Sequence, residues 1–316
     1  MKSVSASWKM VGLSALSAAA AMTAACGDEA GGEGGAGASS TAAGVGGEPT
    51  TTGRPTPSSS SASSGPAPTA VPCNECFPIE ALPEADRQLA LAVLLRALDT
   101  EALYSIAGAL KPMSSGFASL SFPAAEGGSD ELEALRRVVA ALHCGPELEA
   151  AVQVFAANAG GVGFAEALVF RVPRFVETVA DNPDPFAALG VDAGAARLDV
   201  VDAVDVAPMS QRYRGYGYLF GYPRHAVDFF VEAAESEALT GDFVERDFIH
   251  IPVWDRPPGA YTYAVPRAHT PTAEDLALMA AAQPILATYA ARREQFIGDG
   301  KPGVLALVRD WFDDGT

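Results

Sequence analysis

Beyond residue 73, apolar side chains recur every three to four positions over long stretches that are separated by proline, glycine and acidic residues. Leu89, Val93, Leu94 and Leu98 show this spacing, which places them on one face of a helix predicted over residues 83–98. The same spacing predicts further helices over residues 99–110, 129–142, 146–157, 172–180, 195–206, 223–239, 272–296 and 304–312. We expect the glycine-rich break at residues 160–163 to be a plain connection between helices.

Extended structure is predicted in few places. Residues 248–254 and 260–265 are rich in β-branched and aromatic residues, and the Pro- and Gly-containing segment between them predicts a β-hairpin. Pro252 is expected at an edge or a bulge of this hairpin, and a further short extended segment is expected over residues 117–122. The sequence therefore predicts a mainly α domain of nine or ten helices with one small β-hairpin near residues 248–265, and the alternative is an α+β fold.

The first quarter of the chain has a different composition. Lys2 and Lys9 precede an apolar run from Met10 to Met22, which has the length of a signal peptide core and is too short to span a bilayer. Residues 27–72 consist mainly of Gly, Ala, Ser, Thr and Pro, so they cannot bury enough apolar surface to fold. We expect a signal peptide over residues 1–25, a disordered tether over 26–72 and one globular domain over 73–316.

The end of the apolar run, Thr23-Ala24-Ala25-Cys26, resembles the lipobox of bacterial lipoproteins. The resemblance covers about 26 residues and implies that Cys26 is lipidated, so that the protein is exported and anchored in the cell envelope. Thr23 stands where the family usually has an aliphatic residue, which leaves cleavage by an ordinary signal peptidase as the alternative. Gly27 stands where an inner-membrane retention signal has Asp, which favours the outer membrane in a Gram-negative source.

The charge balance limits the possible partners. The chain has 39 acidic and 21 basic residues, for a net charge of −18. Such a surface repels nucleic acid phosphates and anionic lipid headgroups. We therefore expect no nucleic acid partner, and contact with a membrane through the lipid anchor only. The sequence also predicts no cofactor.

Three cysteines follow the tether, namely Cys73, Cys76 and Cys144. In an exported protein they should oxidise, and the favoured arrangement links Cys144 to Cys73 or to Cys76. A bond between Cys73 and Cys76 is one alternative. A zinc site made by the three cysteines with His143 is another.

The most unusual stretch of the chain contains four of its eight tyrosines beside three arginines. Tyrosine rings stack on sugars, and guanidinium groups bind carboxylates or phosphates. Gly215, Gly217 and Gly221 would let a ligand approach the backbone. The predicted ligand-binding residues are Arg212, Tyr213, Arg214, Tyr216, Tyr218, Tyr222 and Arg224. The alternative is that the tyrosines pack between helices and that the arginines pair with acidic residues.

Catalytic chemistry has weaker signals. His225 and Asp228 are three residues apart on a predicted helix, and Glu232 follows one turn later, so a metal could bind this face. His250 and His269 flank the predicted hairpin and are candidates for a general base.

Three functions remain open. The first is an envelope lipoprotein that binds an anionic or glycan ligand, or an envelope protein, without catalysis. The second is an envelope hydrolase or metal-dependent enzyme that uses His225, Asp228 and His250. The third is a structural envelope scaffold.

Overall fold

The structure, a computed structural model, describes residues 76–126, 128–158, 160–256 and 260–313. The predicted signal peptide, the lipidation site Cys26, the tether and Cys73 lie outside the described residues, so these features stay predictions.

The described residues contain ten α-helices and six β-strands. The helices are α1 (Glu84–Asp99), α2 (Leu103–Ile106), α3 (Asp130–Ala140), α4 (Val172–Asp181), α5 (Pro183–Ala187), α6 (Arg197–Asp205), α7 (Met209–Leu219), α8 (Arg224–Thr240), α9 (Ala273–Phe296) and α10 (Val304–Asp313). The strands are β1 (Met113–Ser114), β2 (Ser119–Pro123), β3 (Leu148–Val154), β4 (Val162–Arg171), β5 (Arg246–Ile251) and β6 (Tyr261–Pro266). The high helix content was predicted, but the presence of two antiparallel sheets makes the α+β alternative the better description.

The larger sheet is built around β4. Strands β1 and β2 pair with one edge of β4, and β3 pairs with the other edge, all antiparallel. Side chains of β4 are buried on both faces: Ala167 and Val169 belong to one hydrophobic core, and Leu168 and Phe170 belong to another. The sheet is therefore covered by helices on both sides.

The helix predicted over residues 146–157 is wrong, because β3 occupies this segment. Leu148, Ala150 and Val152 are buried at alternate positions, which is the period of a strand. The segment pairs with β4 along its whole length. The glycine-rich residues 160–163 consequently lead into β4 and form its first two positions instead of connecting helices. The ring of Phe122 lies so close to Gly163 that a Cβ atom there would be 2.8 Å from it.

Other boundaries agree with the sequence. The helix predicted from Ser129 begins there, and the Ser129 hydroxyl caps it by accepting a hydrogen bond from Leu132 N. The hairpin predicted near residues 248–265 is confirmed as β5 and β6. The predicted helix over residues 99–110 shrinks to the single turn of α2. Among the described residues, none of the helices has the combination of length and hydrophobicity needed to cross a bilayer.

A disulfide joins Cys76 to Cys144, 68 residues further along the chain. This bond confirms that Cys144 pairs with one of the two cysteines that follow the tether. Because both sulfur atoms are used in the bond, the alternative zinc site with Cys73 and His143 is wrong, and so is a bond between Cys73 and Cys76. The disulfide fixes the start of the described chain to the segment that follows α3.

Candidate functional site

The tyrosine- and arginine-rich stretch forms α7 and the turn that leads into α8. Its glycines allow neighbouring helices to pack closely and allow the chain to turn. This corrects the expectation that they admit a ligand. A Cβ atom on Gly215 would lie 2.7 Å from Val204, and one on Gly217 would lie 2.7 Å from Val227. Gly221 has a positive φ of 75° at the turn after the helix.

The tyrosines of this stretch are mostly packed inside. Tyr216 and Tyr218 are only 3% and 6% exposed, so most of each ring packs inside the protein. The Tyr216 hydroxyl accepts a hydrogen bond from Gln153 Nε2 at 3.0 Å and donates one to Asp205 Oδ1 at 3.3 Å. This burial, together with the nearby Asp205 charge, raises the pKa of Tyr216. Tyr216 is therefore part of the core.

The other two tyrosines also have aromatic partners. Tyr222 is half-buried and lies against the rings of Tyr261 and Tyr263, with centroid distances of 5.9 and 5.8 Å. Tyr213 makes an edge-to-face contact with Phe230 at 5.2 Å. Both rings stabilise contacts between elements.

The arginines, in contrast, remain accessible. Arg214 forms an ion pair with Asp228, and Arg224 Nε lies 3.8 Å from the same carboxylate. Arg212 has a buried Nε without a hydrogen-bond partner among the described residues. Asp228 is therefore occupied by arginines and is not available to His225 in the way that the metal hypothesis required.

Arg214, Tyr218 and Arg224 line a cleft of about 460 Å³, whose other lining residues come from α4, α5, α7, α8 and the positions just after α4 and α5. Other polar side chains that line the cleft are Asp181, Asn182, Asp184, Ser210, Gln211 and Glu235. Three of the seven predicted ligand-binding residues thus meet in one concave surface. The lining residues include both donors and acceptors, and both positive and negative charges.

The structure brings two of the predicted histidines together. His225, at the start of α8, and His269, just before α9, stack with a centroid distance of 5.3 Å and an interplanar angle of 12°. Both face Asp275, a residue that the sequence analysis did not single out: His225 Nε2 lies 3.2 Å from Oδ1 and His269 Nε2 lies 2.9 Å from Oδ2. We call these three residues the histidine cluster.

Asp275 is fully buried and held by several donors. It is the third residue of α9 and forms a capping box with Thr272, whose N and Oγ1 donate to Oδ2 at 2.8 and 2.9 Å. The Tyr263 hydroxyl donates to Oδ1 at 2.6 Å. Burial raises the pKa of Asp275, but the hydrogen bonds from His269, Tyr263 and Thr272 outweigh it and lower the pKa to about 2. The sequence signal for Asp275 was the Thr-x-x-Asp pattern at the start of a predicted helix.

His250 does not belong to this cluster. It is exposed on β5, and its Nδ1 is 2.9 Å from Thr262 Oγ1 on the paired strand. Of the four candidate catalytic residues, His225 and His269 are neighbours, while Asp228 and His250 have other partners.

A second polar network lies around Lys111, in the segment between α2 and β1. Lys111 is completely buried, and its Nζ pairs with Glu101 Oε2 at 2.6 Å and lies 4.3 Å from the centre of the Tyr261 ring. Burial lowers the pKa of Lys111, against the opposing effect of Glu101. On β4, burial raises the pKa of Glu166 to about 6, with the negative charge of Glu101 acting in the same direction and a hydrogen bond from Ser115 against it.

The arginine-lined cleft and the histidine cluster are the two groups of side chains that we consider further. No known family model, curated protein or solved structure matches this chain.

Proposed function

We propose that the chain is an exported lipoprotein of the cell envelope, anchored through Cys26, whose folded part binds a small glycan in the arginine-lined cleft without catalysis. The anchor rests on the resemblance of residues 23–26 to a lipobox and on the apolar run before it. The observation that carries the binding function is the cleft itself, where Arg214, Tyr218 and Arg224 meet.

The chemistry of the cleft favours a ligand with many hydroxyl groups. A hydroxyl both donates and accepts hydrogen bonds, whereas a guanidinium group only donates and a carboxylate only accepts. In the cleft, Arg214 and Arg224 supply donors, and Asp181, Asp184 and Glu235 supply acceptors. Asn182, Ser210 and Gln211 add neutral partners of both kinds. A sugar can satisfy these groups together.

The charge of the cleft distinguishes between the two ligand classes considered from the sequence. Two arginines line it, but Asp181, Asp184 and Glu235 line it as well, and Asp228 pairs with the arginines. A small anion would therefore meet at least as much negative as positive charge, and its desolvation would be poorly compensated. A neutral glycan avoids this cost. The volume of about 460 Å³ lies within the range typical of small-molecule sites.

A glycan array probed with the purified full chain tests the proposal, and calorimetry then measures the affinity for the best sugar. Replacing Arg214 by Ala removes a charged donor worth about 1.5 to 3 kcal/mol, so we expect binding to weaken about 10- to 100-fold. Arg136→Ala is the matched control, because Arg136 forms an ion pair with Glu133 on α3 and does not line the cleft.

Three results would count against a glycan site in the cleft. One is the absence of any binding on the array. Another is equal affinity of Arg214→Ala and the wild type. The third is displacement of the sugar by millimolar citrate or phosphate, which would show that the cleft prefers anions.

A further inference from the structure

We propose that the histidine cluster of His225, His269 and Asp275 is a binding site for a first-row divalent transition metal, independent of the glycan cleft. Each residue offers one ligand atom, and these three atoms all lie within 4.8 Å of one another. The cluster is formed by residues from the start of α8, the segment after β6 and the first turn of α9.

The separations fit coordination of a single ion. Ligand atoms that both lie about 2.0 to 2.1 Å from one zinc ion are about 3 Å apart when they occupy neighbouring positions. His225 Nε2 is 3.2 Å from Asp275 Oδ1, and His269 Nε2 is 2.9 Å from Asp275 Oδ2. The stacked arrangement of the rings points both Nε2 atoms toward the same carboxylate. Only small shifts would bring all three groups onto one ion.

The nitrogen of His225 gives a second, independent observation. Its Nε2 is buried and has no hydrogen-bond partner among the described residues, although Asp275 Oδ1 is nearby. A buried nitrogen without a partner is costly, and native structures contain few such atoms. Oδ1 accepts from Tyr263, which leaves a lone pair on this oxygen for a further partner. A cation bound between His225 Nε2 and Oδ1 would satisfy both atoms.

Residues around the cluster are placed where they can orient the side chains that would bind the metal. Thr272 and Tyr263 hold the carboxylate of Asp275 in position. Glu274 Oε2 lies 3.7 Å from Nδ1 of His225, the ring nitrogen that faces away from Asp275. A ligating histidine commonly donates its second N–H to a carboxylate, which fixes its tautomer.

The ligand types select the metal class. Two imidazoles and one carboxylate suit zinc, cobalt, nickel or copper, whereas calcium and magnesium prefer sites made only of oxygen ligands. His225 is 28% exposed on its side chain, so one side of the site faces solvent. Three protein ligands with an open side leave a coordination position for water or another ligand.

A simpler alternative is that the histidines only compensate the buried charge of Asp275. The two possibilities differ in what His225 contributes. As a compensating group, His225 would bind no metal. As a ligand, His225 would be required for binding, and the metal would displace any proton that the imidazole carries.

The experiment measures binding of Zn²⁺ to the purified full chain by calorimetry and of Co²⁺ by visible absorption. We expect one ion per chain, bands of a four- or five-coordinate cobalt site, and an increase in melting temperature with zinc. His225→Gln should weaken binding at least 10-fold. Its fold should survive, because His225 Nε2 makes no hydrogen bond in the described structure. His269→Gln should have a similar effect.

His250→Gln is the matched control, since His250 is an exposed histidine outside the cluster. Unchanged affinity in this variant, together with the loss in His225→Gln, would support the site. The proposal is overturned if the wild type binds neither ion with a dissociation constant of about 100 µM or lower, which corresponds to a binding free energy of about −5.5 kcal/mol. It is also overturned if His225→Gln binds as tightly as the wild type, or if His250→Gln loses binding.

Discussion

Glu166 should make the stability of the protein depend on pH in an unusual direction. It lies on the central strand β4, and burial raises its pKa to about 6, whereas an ordinary glutamate has a pKa near 4.5. The folded state therefore holds this proton more tightly than the unfolded state. Where the folded state binds more protons, the free energy of unfolding falls as the pH rises. The fall should begin near pH 4.5 and be complete slightly above pH 6.

The size of the effect follows from the two pKa values. A change from 4.5 to about 6 corresponds to about 2 kcal/mol of stability that is present in acid and lost at neutral pH. Glu166→Gln replaces the carboxyl group by a neutral amide of the same shape. The variant should match the wild type near pH 4 and be more stable by up to about 2 kcal/mol at pH 7.5.

Urea unfolding of both proteins between pH 4 and pH 7.5 measures this difference. Other carboxylates titrate in the same range, so the quantity of interest is the difference between variant and wild type at each pH. Glu232→Gln, which changes an exposed glutamate on α8, is the matched control. A constant difference for Glu166→Gln, or one that grows toward acid, would refute the reasoning.

Three further predictions concern stability. Replacing Cys76 and Cys144 by Ser should lower the free energy of unfolding by about 4 kcal/mol in non-reducing urea titrations, since the closed loop is long; a loss below about 1 kcal/mol would contradict a structural role for the bond. Gly217→Ala should cost about 1 to 3 kcal/mol, because the new methyl group meets Val227, and the loss should shrink in a Val227→Ala background in the same titration. Lys111→Met should lower the free energy of unfolding by about 3 to 5 kcal/mol, measured by thermal unfolding, because it leaves the partly buried carboxylate of Glu101 without its counter-ion. An unchanged free energy of unfolding would show that the ion pair between Lys111 and Glu101 does not stabilise the fold.

Much of the fold could be predicted where the apolar pattern and the end signals agree. The helix that begins at Ser129 has both an apolar stripe and a capping side chain, so its start was predicted correctly. The hairpin of β5 and β6 combines β-prone residues with a turn-forming segment. In these places, local propensity and tertiary packing favour the same structure.

Prediction failed where tertiary contacts override local preference. The sequence of β3 is rich in Leu, Glu and Ala, which are good helix formers, but pairing with β4 makes it a strand. The opposite occurred in α7, where Gly215 and Gly217 disfavour a helix locally. The helix forms because these glycines allow α6 and α8 to approach closely.

The candidate sites could be predicted only in part, for the same reason. The arginines and histidines were recognised by residue type, but their partners depend on how distant elements pack. His225 and His269 are 44 residues apart in the sequence. They meet because α8 packs on β6, so that the start of α9 lies beside the start of α8. No local pattern around either histidine contains this information.

Helix α8 explains how two different sites can lie side by side without sharing ligands. Neighbouring residues on a helix point about 100° apart. Arg224 lines the cleft, while His225, the next residue, faces Asp275. Asp228 lies one turn later and pairs with Arg214, which lines the cleft. Because the two sets of side chains leave the helix in different directions, Arg214→Ala and His225→Gln perturb separate groups. The glycan proposal and the metal proposal can therefore fail independently of each other.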